Sequence, residues 1–354
     1  MLPANFNAQL IESLIDWLWR SWNSLGVSGH GDPARTDRVI DPESLLLAST
    51  VWARYDPRLF DEMLDWLCLY GSLINLQRLR NLHRNGLGDS AVLSAVAAVV
   101  QEHSQQTKWK VLIGKHAPSQ KPLPLFLSIN GKNATWGRPD PLFAAQGFHR
   151  GRIELRQMSQ APSPQRAQNL WLKLRGLFGT STRAEIMLQL LSSGPATAGE
   201  IARRSGFTAR SILVTLREMA QSGHIYEPPR PARNRPQRGQ APAARTRGPS
   251  LAYALRPEEW CFLRTWPEPP GFPTLKFSAP LLHLCQHLLQ SLESQKPEMF
   301  AHMQSILISE AISGSLKDIQ RNGLSGDYGL PPHLPGDSLL PTLAERLPAA
   351  IASL

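Results

Sequence analysis

The chain has 354 residues, enough for two or three domains that each bury a core, and its 42% hydrophobic content is ordinary for a globular protein. No apolar run approaches the ~18 residues that a membrane span needs, the longest being AVLSAVAAVV at 91–100. The formal charge is +10, and the three cysteines (Cys68, Cys261, Cys285) neither all pair nor show metal-ligand spacing, which argues against a disulfide-stapled scaffold and for a reducing, cytoplasmic compartment.

Three regions follow from the punctuation. QAPSPQ at 160–165 and WPEPPGFP at 266–273 separate a mostly helical domain (1–160), a central domain (161–266) and a helical C-terminal region with a Pro/Gly-rich tail (267–354). The first twenty residues carry Glu12 and Asp16 among Leu, Ile and Trp and lack a basic leader, the pattern of an amphipathic helix rather than a signal peptide. Its apolar face holds Leu10, Leu14, Leu18 and the tryptophans Trp17, Trp19 and Trp22. GVSGHGDP at 26–33 has glycines but no phosphate-cradling motif.

Asp41-Pro42 and Asp56-Pro57 each place a capping acid before a proline suited to the first helical position. After the second, Leu59, Met63, Trp66, Leu67 and Tyr70 form one apolar stripe, and Gly71 ends the helix. In INLQRLRNLHRNG (74–86), Leu76, Leu79 and Leu82 share one arc while Gln77, Arg80, Asn81 and Arg84 share the opposite one. Three helices ending in a basic, amide-bearing one resemble a degenerate helix-turn-helix with a second DNA-binding face; a plain helical bundle with a solvated face gives the same pattern. From 121 to 157 the periodicity changes: PLFLSINGKNATWG suggests a hairpin around Asn130-Gly131, and GRIELRQM a further strand.

In the central domain Thr182 and Glu185 have capping-box spacing, with Ala184, Met187, Leu188 and Leu191 on the inner face of a first helix. Thr197 and Glu200 repeat that spacing and open a short second helix with Ile201 and Ala202 inward. Gly206 makes the turn and Thr208 caps a third helix. On that third helix Ala209, Ile212, Leu216 and Met219 face the core, while Arg210, Val214 and Arg217 form an outward stripe flanked by Ser211 and Glu218. The third helix of a helix-turn-helix enters the major groove. There Arg210 could pair with guanine, Val214 could meet a thymine methyl, and Arg217 could reach a phosphate or base, with Ser211 and Thr208 beside them. An ordinary three-helix unit with exposed arginines is the bland counterpart.

From Thr182 to Leu255 the chain resembles the winged helix-turn-helix transcription regulators of the MarR and ArsR type. TARSILVTLREMAQSGHI carries the recognition-helix pattern, and HIYE and SLAYAL look like two wing strands, with Tyr226 and Tyr253 available as a cross-strand pair. The resemblance implies a wing tip lying along the DNA backbone or in the minor groove. Here that tip is expanded into an insert, 229–249, with six arginines (Arg230, Arg233, Arg235, Arg238, Arg245 and Arg247) and no acid. Setting those six aside leaves 32 basic against 28 acidic residues, so more than half of the excess charge sits in this one segment. Such arginines would neutralise phosphates or occupy a narrow minor groove; arginine-rich segments also fold on RNA.

HLCQH places His283 and His287 at i, i+4 on a helix, but Cys285 lies on another side and two ligands do not make a structural metal site. Leu281, Leu282, Leu288, Leu289 and Leu292, then Met299, Met303, Ile306 and Ile308 beyond Pro297, are core or a two-fold interface.

The expected fold is mainly α with small β wings: one winged helix-turn-helix domain, a candidate second, and a helical C-terminal region. The expected function is a sequence-specific, repressor-like regulator that binds double-stranded DNA as a homodimer, with no catalysis, cofactor, metal or membrane. The alternatives are an adaptor or antitoxin-like module and an RNA-binding accessory factor.

Overall fold

The computed structural model describes residues 5–29, 37–114, 122–128, 137–227, 252–267, 270–294, 301–321, 324–326, 328–330 and 336–354. The protein is mainly helical with a few small sheets. No helix among these residues is long and apolar enough to cross a membrane.

The N-terminal helices are α1 (Phe6–Leu25), α2 (Pro42–Trp52), α3 (Pro57–Tyr70), α4 (Leu76–Arg84) and α5 (Ser90–His103), with the two-residue strand β1 (Arg38–Val39) before α2. Their starts follow from capping chemistry. Asp41 accepts the N–H of Ser44, Asp56 those of Arg58 and Leu59, Asn75 those of Gln77 and Arg78, and Asp89 those of Ala91 and Val92. The strands β2 (Leu123–Pro124) and β3 (Phe148–His149) flank the short helix α6 (Pro141–Ala144).

The middle of the chain holds α7 (Leu170–Phe178), α8 (Thr182–Ser193), β4 (Ala196–Thr197), α9 (Ala198–Ser205), α10 (Ala209–Ala220), β5 (Ile225–Tyr226) and β6 (Ala252–Leu255). Then come β7 (Thr274–Leu275), α11 (Ala279–Glu293), α12 (Ala301–Arg321) and α13 (Gly336–Ala352).

Two apolar cores organise these elements. One joins Leu170, Trp171, Met187, Leu190, Ile201, Ile212, Leu216 and Tyr253, so it belongs to the middle helices and their sheet. The other draws on both ends of the chain: Leu10, Leu14, Leu18 and Trp22 of α1 share it with Leu281, Leu284 and Leu288 of α11, Ile312 of α12, and Leu343, Leu347 and Ile351 of α13. Among the described residues, the C-terminal helices thus share their core with the N-terminal ones. Their apolar faces are completed by α1 and α2, while the parallel pairing of β1 with β7 joins Val39 to Leu275, both of which pack on the other core.

Several local expectations fail for identifiable reasons. Residues 123–124 pair in parallel with 148–149, and the hairpin expected around Asn130-Gly131 lies outside the described residues. GRIELRQM runs without strand pairing. Ile153 and Leu155 pack on the larger core, while the N–H groups of Gln157 and Ser159 donate to the two oxygens of Asp65, a carboxylate standing where a neighbouring strand would be. Thr182 and Glu185 form no capping box, because Glu185 turns inward to Arg175 and Trp171, and Thr182 shares a hydrogen bond with Thr215. Ala209 is exposed, not core.

Candidate nucleic-acid interface

The three helices α8, α9 and α10 stand against a three-stranded antiparallel sheet of order β4-β6-β5. Thr197 and Glu200 do form the reciprocal capping box that opens α9, with Thr197 N–H donating to Glu200 at 2.7 Å and Glu200 N–H to Thr197 Oγ1 at 3.2 Å. Gly206 closes that helix at φ +74°, a left-handed conformation that a side chain would strain. Thr208 then accepts the Ser211 N–H at 3.1 Å and starts α10. Its hydroxyl oxygen accepts the capping bond, and its O–H is not used by the cap.

The turn fixes the rotation of α10. Ile212 and Leu216 are fully buried in the smaller core, with Thr215 beside them, while Met219 is only partly buried. The opposite side carries Arg210, Ser211, Val214 and Arg217, all exposed; Val214 keeps 49% of its surface in solvent. Glu218, the one acid on this helix, pairs with Arg183 at 2.9 Å, so Arg217 is not its partner. The outward surface is a capped rod bearing two cations around an apolar centre.

The sheet differs from expectation in register. Tyr226 stands opposite Ala254, and Ile225 opposite Leu255; Tyr253 faces Ala196 on the other side of β6. Tyr226 instead donates its hydroxyl to Glu259 at 2.8 Å and lies beneath the Arg256 guanidinium, 4.7 Å from the ring centroid. That hydrogen bond pushes the Tyr226 phenol up and holds the Glu259 carboxyl down. Strands β5 and β6 bracket the basic insert, and its arginines Arg230, Arg233, Arg235, Arg238, Arg245 and Arg247 lie outside the described residues.

The amide-bearing face of α4 meets the middle helices. Asn81 Nδ2 donates to the carbonyl of Gly206 at 2.7 Å, with Gln77 Nε2 at 3.5 Å from the same oxygen, and Arg84 donates to Asn81 Oδ1. Gln77 and Asn81 thus hold the turn that presents α10. Arg80 and Arg84 are exposed beside them.

What sequence reasoning missed is a buried ionic chain behind this turn. Arg78 bonds both oxygens of Asp41 at 2.6 Å and reaches Glu43 at 2.9 Å. Glu43 also takes Arg175, at 2.6 and 3.0 Å, and Arg175 continues to Glu185 at 2.9 Å. Both guanidinium groups stand against the Trp171 ring, Arg78 at 4.6 Å and Arg175 at 4.9 Å from a ring centroid. Burial alone would raise the Asp41 carboxyl, but the charge and hydrogen bonds of Arg78 outweigh it and keep the group below its usual value. Arg78 Nε completes the link by donating to the carbonyl of Arg204 at 3.0 Å. The signal was present: Arg175 stands one helical turn after Trp171, on an apolar face where a lone cation needs a buried partner.

On α11 the rings of His283 and His287 lie 4.0 Å apart, and Ser315 meets His287 Nδ1 at 3.1 Å. The three cysteines are free thiols. Comparison with known proteins finds no matching family model, no matching curated protein and no matching solved structure.

Proposed function

We propose that the protein is a sequence-specific regulator that binds double-stranded DNA, in the cytoplasm and without catalysis, through a winged helix-turn-helix spanning residues 182–255. The observation that carries this reading is the exposed stripe Arg210, Val214 and Arg217 on a helix whose other side is sunk in the core. A groove-reading helix needs that combination: a rigid back, planar cations for guanine or phosphate, and a small apolar contact for a thymine methyl. In this reading β5 and β6 are wing strands, and the basic insert between them supplies sequence-independent affinity for phosphates. A two-fold dimer suits paired half-sites, and α12 offers a surface for it in Met303, Ile306 and Leu307, which remain exposed while Ile308 and Ile312 are buried.

One observation favours a second reading. Phe262, 69% exposed beyond the sheet, is the kind of side chain a protein-binding module presents. The deciding experiment is selection of bound duplexes from a random pool, followed by gel shifts over a range of salt. A DNA regulator yields an enriched sequence and an affinity that falls linearly with salt on logarithmic axes. Failure to retain any duplex would favour the adaptor, and better competition by single-stranded RNA the RNA-binding factor.

A further inference from the structure

Helix α4 belongs to the N-terminal helices, yet it is fastened to the start of α10. Gln77, Arg80, Asn81 and Arg84 share an arc of about 100° on its surface. Asn81 and Gln77 turn their amides to the Gly206 carbonyl, and Arg78 on the adjoining arc holds the Arg204 carbonyl at 3.0 Å. The packing is close: a Cβ at Gly206 would stand 3.1 Å from both Arg78 Cα and Asn81 Nδ2. Helix α4, the turn and the first residues of α10 therefore form one unit. Thr208, Ala209 and Arg210 are exposed directly after that turn.

The charge on this unit has one sign. Between Ile74 and Gly88 the chain carries three arginines and no acid. Arg78 is buried and matched by Asp41 and Glu43, so it offers nothing outward. Arg80 and Arg84 are exposed, and Arg84 spends only one of its several donors on Asn81 Oδ1. Arg203, near the end of α9, is exposed as well. The acids of α9 and α10 are committed elsewhere, Glu200 to the cap of its own helix and Glu218 to Arg183.

We infer that Arg80 and Arg84 bind phosphates of a DNA duplex beside the stretch faced by α10, so that the N-terminal helices extend the contact beyond the helix-turn-helix. Two observations select this occupant. Exposed guanidinium groups with no acid on their own segment are complementary to phosphate. Their face also continues, through the Gly206 turn, into the start of the α10 stripe. Phosphate contacts set register and carry no sequence information. Because α4 is bonded to the turn, contacts made by its arginines set where α10 rests in the groove. Gln77 and Asn81 face Gly206 and serve this positioning from inside the protein. The inference rests on the DNA-binding reading.

The test compares the full chain with an Arg80→Ala/Arg84→Ala variant by gel shift, on a selected duplex and a random duplex of equal length. Arg210→Ala is the reference. The double variant should keep the wild-type helical content and lower the slope of log affinity against log salt by about 1.8, or about 0.9 for each phosphate, on both duplexes alike. The advantage of the wild type should then grow about 60-fold for each tenfold fall in salt. Arg80→Lys/Arg84→Lys should restore most of the slope, which a packing defect would not. Uncharged methylphosphonates placed singly in the flanks should weaken the wild type at positions where the double variant is indifferent. A double variant with the wild-type slope overturns the inference, and leaves the DNA reading standing if Arg210→Ala still weakens the selected site. Loss confined to the selected duplex also overturns it, as does equal weakening of both proteins by every methylphosphonate. A wild-type chain that retains no duplex overturns both.

Discussion

At the scale of single residues, Arg210 and Thr208 separate the proposed recognition from architecture. Arg210 is exposed and contributes nothing to the core, so Arg210→Ala should leave the unfolding midpoint unchanged and cost about 1–3 kcal/mol at a selected site, with little effect on random duplex. Thr208 holds the first turn of α10 through the Ser211 N–H. Thr208→Ala should therefore lower stability by about 1 kcal/mol in urea titrations. His283 makes a third case. Burial, with His287 beside it, lowers its imidazole from 6.5 to about 4. The unfolded chain takes up this proton near pH 6.5 and the folded chain only near 4, so the contribution is complete above 6.5 and disappears as pH falls toward 4. His283→Gln should flatten the pH dependence of unfolding across that window.

At the scale of elements, the helix starts at Asp41, Asp56, Thr197 and Thr208 were legible because capping depends on a few adjacent residues and a backbone that any helix presents. The outward stripe of α10 was legible for a similar reason, helical periodicity being local. Thr182 misled because its spacing is local while its partner, Thr215, is 33 positions away, and Glu185 had a stronger claim on it from Arg175. Tyr226 and Tyr253 misled because register depends on the length of the intervening insert, which composition does not reveal. The role of Asn81 at Gly206 depends on how two distant segments meet, and no periodicity encodes that. The same holds for Glu43, a buried carboxylate serving two arginines from different cores. Glu43→Ala should cost about 3–5 kcal/mol, since it leaves both guanidinium groups buried with fewer partners. Differential unfolding of the middle unit and the larger core, followed by hydrogen exchange, would locate the loss.

At the scale of the whole molecule, two predictions concern assembly on DNA. Deleting 229–249 removes six arginines, and the slope of log affinity against log salt should fall by several units, about 0.9 for each phosphate they neutralise. Ile306 is 45% exposed on α12, and Ile306→Glu should convert a dimer to a monomer in light scattering while leaving the helical content unchanged. A wild-type monomer under the same conditions would remove α12 from consideration.

The shared core of α1 and α13 has a bearing on how the chain is made. A ribosome releases Leu14 and Trp22 long before Leu343 and Ile351, with which they share a core, so α1 leaves the exit tunnel before its partner α13 is translated. The middle unit draws nearly all its core from one continuous stretch and can settle first. Premature termination anywhere after it should thus yield a finished middle unit on an unfinished body, with the apolar faces of α1 and α2 left for chaperones to shield.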